Sequence, residues 1–133
     1  MSQAADALVP YRLGRAREAL DAARLLLEKD HLHACINRLY YACFYAASAL
    51  LLTKGLTATK HAGVIALFNK HWVKEGLLPK QLGTTLSALF AARQEADYAD
   101  LAEFDPAEAW QWLKASGNFV STIAAHIREV QKE

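Results

Sequence analysis

A chain of 133 residues with a formal net charge of +1, three prolines and six glycines has the size and composition of one compact domain. It needs no disulfides to build a core, and a disordered chain is excluded. Its uncharged run, Leu39 to Leu52, is shorter than the roughly 20 residues a bilayer requires. The N-terminus, Met1-Ser2-Gln3-Ala4-Ala5-Asp6, lacks the basic and apolar regions of a secretory signal. A cytoplasmic protein with no membrane association is the expectation.

Along the chain the charge is uneven. From His33 to Arg93 seven Lys/Arg stand against Glu75 alone, whereas from Gln94 onward eight acids face Lys114, Arg128 and Lys132. The first 32 residues balance at five of each sign. Either the two blocks neutralise each other across the fold, or the basic middle attracts phosphate with a marked salt dependence.

Pro10 suits the first turn of a helix, where its missing donor costs nothing. Leu13, Ala16, Leu20, Ala23 and Leu27 then step by three and four as an amphipathic stripe. Lys29-Asp30 ends that helix, and the short connection predicts an antiparallel second one from about His31 to Lys54, stopped by Gly55. This second helix is the expected centre of the fold. Arg38, Tyr41 and Tyr45 share one of its faces, and Tyr40, Phe44, Ala47 and Leu51 another. Cys35 and Cys43 lie on it about 12 Å apart in rise, beyond the roughly 7 Å limit for a bridge, so both are expected buried and reduced.

A third helix is predicted with Thr57 or Thr59 as its cap, the stripe His61, Val64, Ile65, Phe68 and Trp72, and Gly76 at its close. Pro79 opens a fourth, with Leu82, Leu86, Leu89 and Phe90 on one side. Arg93 and Asp97 continue that stripe, two charges where the period predicts core. Asp105-Pro106-Ala107-Glu108 is a helix-start signature. The fifth helix then turns Ala109, Trp112, Leu113, Ser116, Phe119, Val120, Ile123 and Ile127 inward. Trp72 and one of Trp110 and Trp112 are expected in core or interface packing, and the third exposed at a dimer contact. The fold class predicted is all-α, a five-helix antiparallel up-and-down bundle, one domain over residues 1–133 with its core at about 11–127.

Arg38, Arg93, Asp97 and Tyr98 form the candidate polar site. A guanidinium beside an apolar run must reach solvent, find a carboxylate, or await an anion. A structural ion pair of Asp97 with either arginine is one outcome; a surplus of cations able to hold phosphate is the other. His61 stands at a helix N-terminus, where free N–H groups and the helix dipole suit an anion, and it can move protons near neutral pH. His31 and His33 flank a turn, His71 and His126 read as surface or edge positions, and no set of ligands completes a metal site. No phosphate-loop motif is present.

Three stretches together resemble the HEPN domain: Asn37-Arg38-Leu39-Tyr40-Tyr41-Ala42-Cys43-Phe44-Tyr45, Lys60-His61-Ala62-Gly63-Val64-Ile65, and Phe90-Ala91-Ala92-Arg93-Gln94-Glu95-Ala96-Asp97-Tyr98. They match the small prokaryotic branch marked by R-x-Y-Y-A, a histidine opening the next helix, and R-x-x-x-D-Y. The resemblance covers about Tyr11 to Ile127. It implies a five-helix bundle, often a homodimer, frequently paired with a minimal nucleotidyltransferase of the MNT type in a toxin–antitoxin-like module. Arg38, Tyr41, Arg93, Asp97 and Tyr98 would then line a cleft for a nucleotide or RNA phosphate, with no cofactor and no metal. In the toxin branches an arginine and a histidine four to six residues later cleave RNA without metal. After Arg93 no such histidine follows, so a ribonuclease toxin here would need Arg93 with His61 as its proton carrier. Arg24 and His31 match that spacing only across the first helix turn. The family also includes tyrosines that accept nucleotides from the partner enzyme, and Tyr98 is the nearest equivalent. A helical module that only binds protein is the remaining alternative.

Overall fold

The computed structural model describes residues 3–132; Met1, Ser2 and Glu133, which the sequence-based domain bounds include, lie outside the described residues. Five α-helices build it: α1 (Gln3–Glu28), α2 (Leu32–Leu52), α3 (His61–Phe68), α4 (Lys80–Tyr98) and α5 (Pro106–Gln131). No strand occurs among the described residues, so the all-α bundle expected from the periodicity is the fold.

Helix α2 is the axis. It packs against α1 over the bundle's longest interface and also against α3, α4 and α5. Its length and hydropathy would suffice to cross a membrane, but 72% of its apolar window is buried inside the bundle, as befits a core helix. Cys35, Leu39, Tyr40, Cys43, Ala47 and Leu50 are all fully enclosed. Burial drives both thiol pKa values up, to about 11 for Cys35 and about 12 for Cys43, so both stay protonated and inert. Gly55, in the left-handed region at φ 69°, closes α2: the Leu56 N–H returns to the Leu51 carbonyl at 3.0 Å, a glycine-dependent stop.

Helix α1 begins earlier than Pro10, which sits inside it rather than in its first turn. The proline forfeits one bond to the carbonyl a turn back, but Pro10 and Asp6 are both exposed and water can serve that group. Val9, only 1% exposed, ties the preceding turn to the core and keeps the helix going.

Neither Thr57 nor Thr59 caps α3. Lys60 holds the N-cap position in extended conformation without a side-chain bond, and the backbone closes the turn instead, Val64 N–H to Lys60 carbonyl at 3.2 Å. The loop before it is pinned by Leu56 and Ala58 packing on the core. A Cβ on Gly63 would lie 3.0 Å from the Ala58 Cβ, so the glycine lets that loop cross closely over the first turn carrying His61.

Helix α3 does not run on unbroken to Gly76. Residues Asn69–Val73 form a π-helical turn, with the Lys74 N–H reaching the Asn69 carbonyl at 2.8 Å. The wider turn keeps both Phe68 and Trp72 in the core, at 0% and 1% exposure. Phe68 meets Phe119 of α5 with ring centroids 5.5 Å apart. Burial of such a ring contributes about 1.5–3 kcal/mol.

Helix α4 starts after Pro79 and buries Leu82, Leu86 and Leu89. In α5 the Asp105 side chain accepts from the Ala107 N–H at 3.0 Å, and Pro106 occupies the first turn. Its apolar stripe is buried as expected, Ser116 included, while Trp112 is half-buried and Trp110 is 43% exposed.

Candidate functional site

Two arginines on different helices meet over one ring. The Arg38 guanidinium carbon of α2 lies 5.0 Å from the Tyr41 ring centroid. That of Arg93 on α4 lies 5.5 Å from the same centroid and 5.6 Å from that of Tyr40. These separations are within cation–π range. Arg93 Nη2 also donates to the Tyr41 hydroxyl at 3.3 Å. The helical period explains the meeting: Arg93 extends the apolar stripe of α4, and Arg38 and Tyr41 are a turn apart on α2.

Between the arginines runs a polar relay that the sequence reading missed. Asn37 Oδ1 accepts from Arg38 Nη2 at 2.8 Å and Nε at 3.2 Å. Asn37 Nδ2 donates to both Asp97 oxygens at 3.3 and 3.4 Å. The amide orientation follows from that network, oxygen toward the cation and nitrogen toward the anion. Asp97 Oδ2 stands 3.0 Å from Arg93 Nε, although this buried nitrogen makes no aligned hydrogen bond among the described residues. The contact is therefore an ion pair with poor directionality. The side chains are 16% and 28% exposed, so solvent screens it only in part.

Asp97 thus pairs with Arg93. Arg38 has only a neutral amide, and no carboxylate lies within ion-pairing distance of it among the described residues. Among the described residues, two guanidinium groups and one carboxylate leave the cluster one positive charge in excess.

His61 joins from α3. Its ring stacks on Phe44 with centroids 4.4 Å apart and planes at 14°, and it meets Tyr41 edge-on at 5.7 Å. Its Nδ1 lies 2.7 Å from the Tyr40 hydroxyl. Burial lowers the His61 pKa, and the positive charge of Arg93 lowers it further, so the ring is neutral at pH 7. Tyr40 is fully enclosed; burial raises its pKa and it keeps its proton. That phenol has no other hydrogen-bond partner among the described residues, so it donates to Nδ1, and by this assignment Nε2 carries the imidazole proton. Neutral His61 therefore offers a donor from Nε2, suited to a phosphate oxygen.

Of the residues singled out in the sequence, Arg38, Tyr41, Arg93, Asp97 and His61 converge. Tyr98 does not. It is 76% exposed at the end of α4 and takes part in none of the cluster's bonds or ring contacts, because one residue past Asp97 turns it about 100° around the helix. Asn37, Tyr40 and Phe44 complete the site; their adjacency to Arg38 and Tyr41 in one stretch was the available signal. His33 packs edge-on against Phe104 at 5.2 Å, His71 and His126 are half-buried, and no cluster of metal-ligating side chains exists among the described residues.

A helical bundle with this arginine–tyrosine–histidine arrangement has clear relatives. The HEPN domain family model matches residues 9–127, and the chain belongs to that family. It is 41% identical over 127 residues to a UPF0332 protein of Thermotoga maritima, covering 96% of each chain. It is 42% identical over 115 residues to the Methanocaldococcus jannaschii protein named "Putative toxin MJ0605", covering 86% of this chain and 85% of that one. A second protein of that organism, "Putative toxin MJ0142", is 34% identical over 113 residues, 85% of this chain and 77% of the other.

Proposed function

We propose that this chain binds the phosphate of a nucleotide or RNA at the cluster of Arg38 and Arg93, with neutral His61 donating beside it. The observation that carries this reading is the charge imbalance: two guanidinium groups share one ring and only one carboxylate. Cationic donors already oriented by Asn37 and Tyr41 are what a phosphate needs. The protein would act in the cytoplasm as a homodimer, beside an MNT-type nucleotidyltransferase, in a toxin–antitoxin-like module. The names of the two Methanocaldococcus jannaschii relatives support the toxin half of that reading, and exposed Trp110 offers a surface for a second copy.

Calorimetric titration with AMP and a short RNA at low and moderate salt tests the binding. Affinity should fall with salt and by about tenfold or more in Arg38→Gln; a signal indifferent to that change would remove the site. Co-expression with the product of a neighbouring nucleotidyltransferase gene tests the partnership. A lone gene, or two proteins that elute apart, would refute it.

A second reading rests on the placement of His61 beside Arg93: metal-independent cleavage of RNA, with His61 moving the ribose proton and Arg93 stabilising phosphate charge. The Tyr40 bond disfavours it, since a base at Nε2 needs the opposite tautomer. Incubation with RNA in EDTA, with Arg93→Ala as control, decides. Arg93-dependent cleavage would establish a ribonuclease.

A further inference from the structure

A hollow adjoins this cluster. It lies between α1, α2 and the loop leading to α3, has a volume of about 260 Å³, and is lined by Arg12, Phe44, Tyr45, Ser48, Leu51 and Thr57 among others. Phe44 belongs to both sites: it lines this hollow and stacks on His61. The lining is apolar at Phe44 and Leu51 and carries hydroxyls at Ser48 and Thr57, and among the described residues neither Lys nor any acid is part of it.

The cation–ring pairing of the first site recurs at Tyr45, which lines the hollow, with Arg15, which does not. The Arg15 guanidinium carbon lies 5.4 Å from the Tyr45 ring centroid, and its Nη2 donates to the Tyr45 hydroxyl at 3.5 Å. Tyr45 and Tyr41 have centroids 6.0 Å apart, so two rings, each with its own arginine, follow each other along α2. Arg15 faces Glu18 at 3.7 Å, but both side chains are well exposed and the pair is weak. Arg12 has no carboxylate partner among the described residues; its Nη1 makes one long bond, 3.4 Å, to the Ser48 carbonyl. Successive rings interleaved with guanidinium groups are the pattern that holds unpaired bases and their backbone.

We infer that this hollow is a second nucleotide subsite, taking the residue next to the one held at Arg38 and Arg93, so that the ligand is a single-stranded polynucleotide rather than a free nucleotide. The inference rests on the phosphate-binding reading above. In it the base lies against Phe44 and Tyr45, and Arg12 and Arg15 meet the intervening phosphate. A duplex cannot use the subsite, because its bases are stacked on each other.

Titrations with AMP, hexa-adenylate RNA and a 12-base-pair RNA duplex test it, on the wild type, Arg12→Gln, Tyr45→Leu and Arg38→Gln, each with a melting curve. The hexamer should bind the wild type at least tenfold more tightly than AMP does, and more tightly than the duplex. Arg12→Gln and Tyr45→Leu should each remove most of that advantage and leave AMP unchanged. Arg12→Gln should also reduce the salt slope by about 0.7, one phosphate contact on a single strand. Arg38→Gln should weaken both ligands. Equal affinity for AMP and hexamer, a duplex bound as well as the hexamer, or a hexamer indifferent to Arg12 and Tyr45 would overturn the subsite while leaving the first site standing. A wild type that binds neither ligand would overturn both.

Discussion

His61 and Phe44 lie face to face, 4.4 Å between ring centroids, and this contact makes the histidine a reporter of the site's electrostatics. Burial and Arg93 hold its pKa below the usual histidine value of about 6.5. As pH falls the unfolded chain therefore takes up the proton first. The stabilisation from a neutral His61 is whole above about pH 6.5 and is lost as pH drops through the folded-state midpoint. Between pH 7.5 and 5 the wild type should lose more melting temperature than His61→Gln. NMR titration of the imidazole gives the midpoint directly, and a value at or above 6.5 would contradict the arrangement.

Asp97 competes with any anion for Arg93. Asp97→Asn keeps the size of the side chain and an acceptor for Asn37, and removes the only carboxylate of the relay. Affinity for AMP should rise three- to tenfold, with a steeper salt dependence. Melting should show a loss of about 1 kcal/mol, as for a partly exposed pair. Weaker binding at equal stability would mean that the carboxylate's work is to orient Arg93, and the charge-surplus account would be wrong.

The site was half legible because its members carry charge at positions where periodicity predicts core. Arg93 and Asp97 stood out for that reason, and Arg38 for its place at the edge of an uncharged run. Tyr40 and Phe44 read as core, and Tyr40 is. The Tyr40 hydroxyl and the Phe44 face nevertheless meet His61, which arrives from another helix, and no single-helix period encodes that meeting. Local chemistry explains the rest of the pattern. Asp105-Pro106 acts through neighbours two residues away and was readable, as was Gly55. Pro10 misled because the burial of Val9 outweighs one lost hydrogen bond. The π-helical turn at Asn69–Val73 leaves no mark in the spacing of Phe68 and Trp72.

That turn has a testable partner on α4. A Cβ at Gly83 would lie 2.6 Å from Asn69 Oδ1 and 3.5 Å from a Val73 methyl. The second distance is ordinary contact; the first requires Asn69 to move. Gly83→Ala gains about 0.5–1 kcal/mol from helix propensity, which the displacement of Asn69 should cancel. In an Asn69→Ala background the same change should stabilise by the full amount. A double-mutant cycle by urea denaturation reads the coupling, and a value under about 0.3 kcal/mol, the scatter of independent sites, would refute the contact.

Ser116 is completely buried, and its hydroxyl has no hydrogen-bond partner among the described residues. The Cys43 thiol lies near enough to feel it but outside hydrogen-bonding geometry. An unpaired buried hydroxyl costs about 1–3 kcal/mol of desolvation, and alanine removes it while vacating little volume. Ser116→Ala should therefore be neutral or stabilising by up to about 1 kcal/mol, raising the melting temperature by roughly 3–5 °C at this chain length. Cys43→Ala opens a small cavity and should cost about 1 kcal/mol whether or not Ser116 is present. If Ser116→Ala instead destabilises, and the loss disappears in the Cys43→Ala background, the thiol and hydroxyl are bonded after all, and the core holds a satisfied polar pair where we find an orphan.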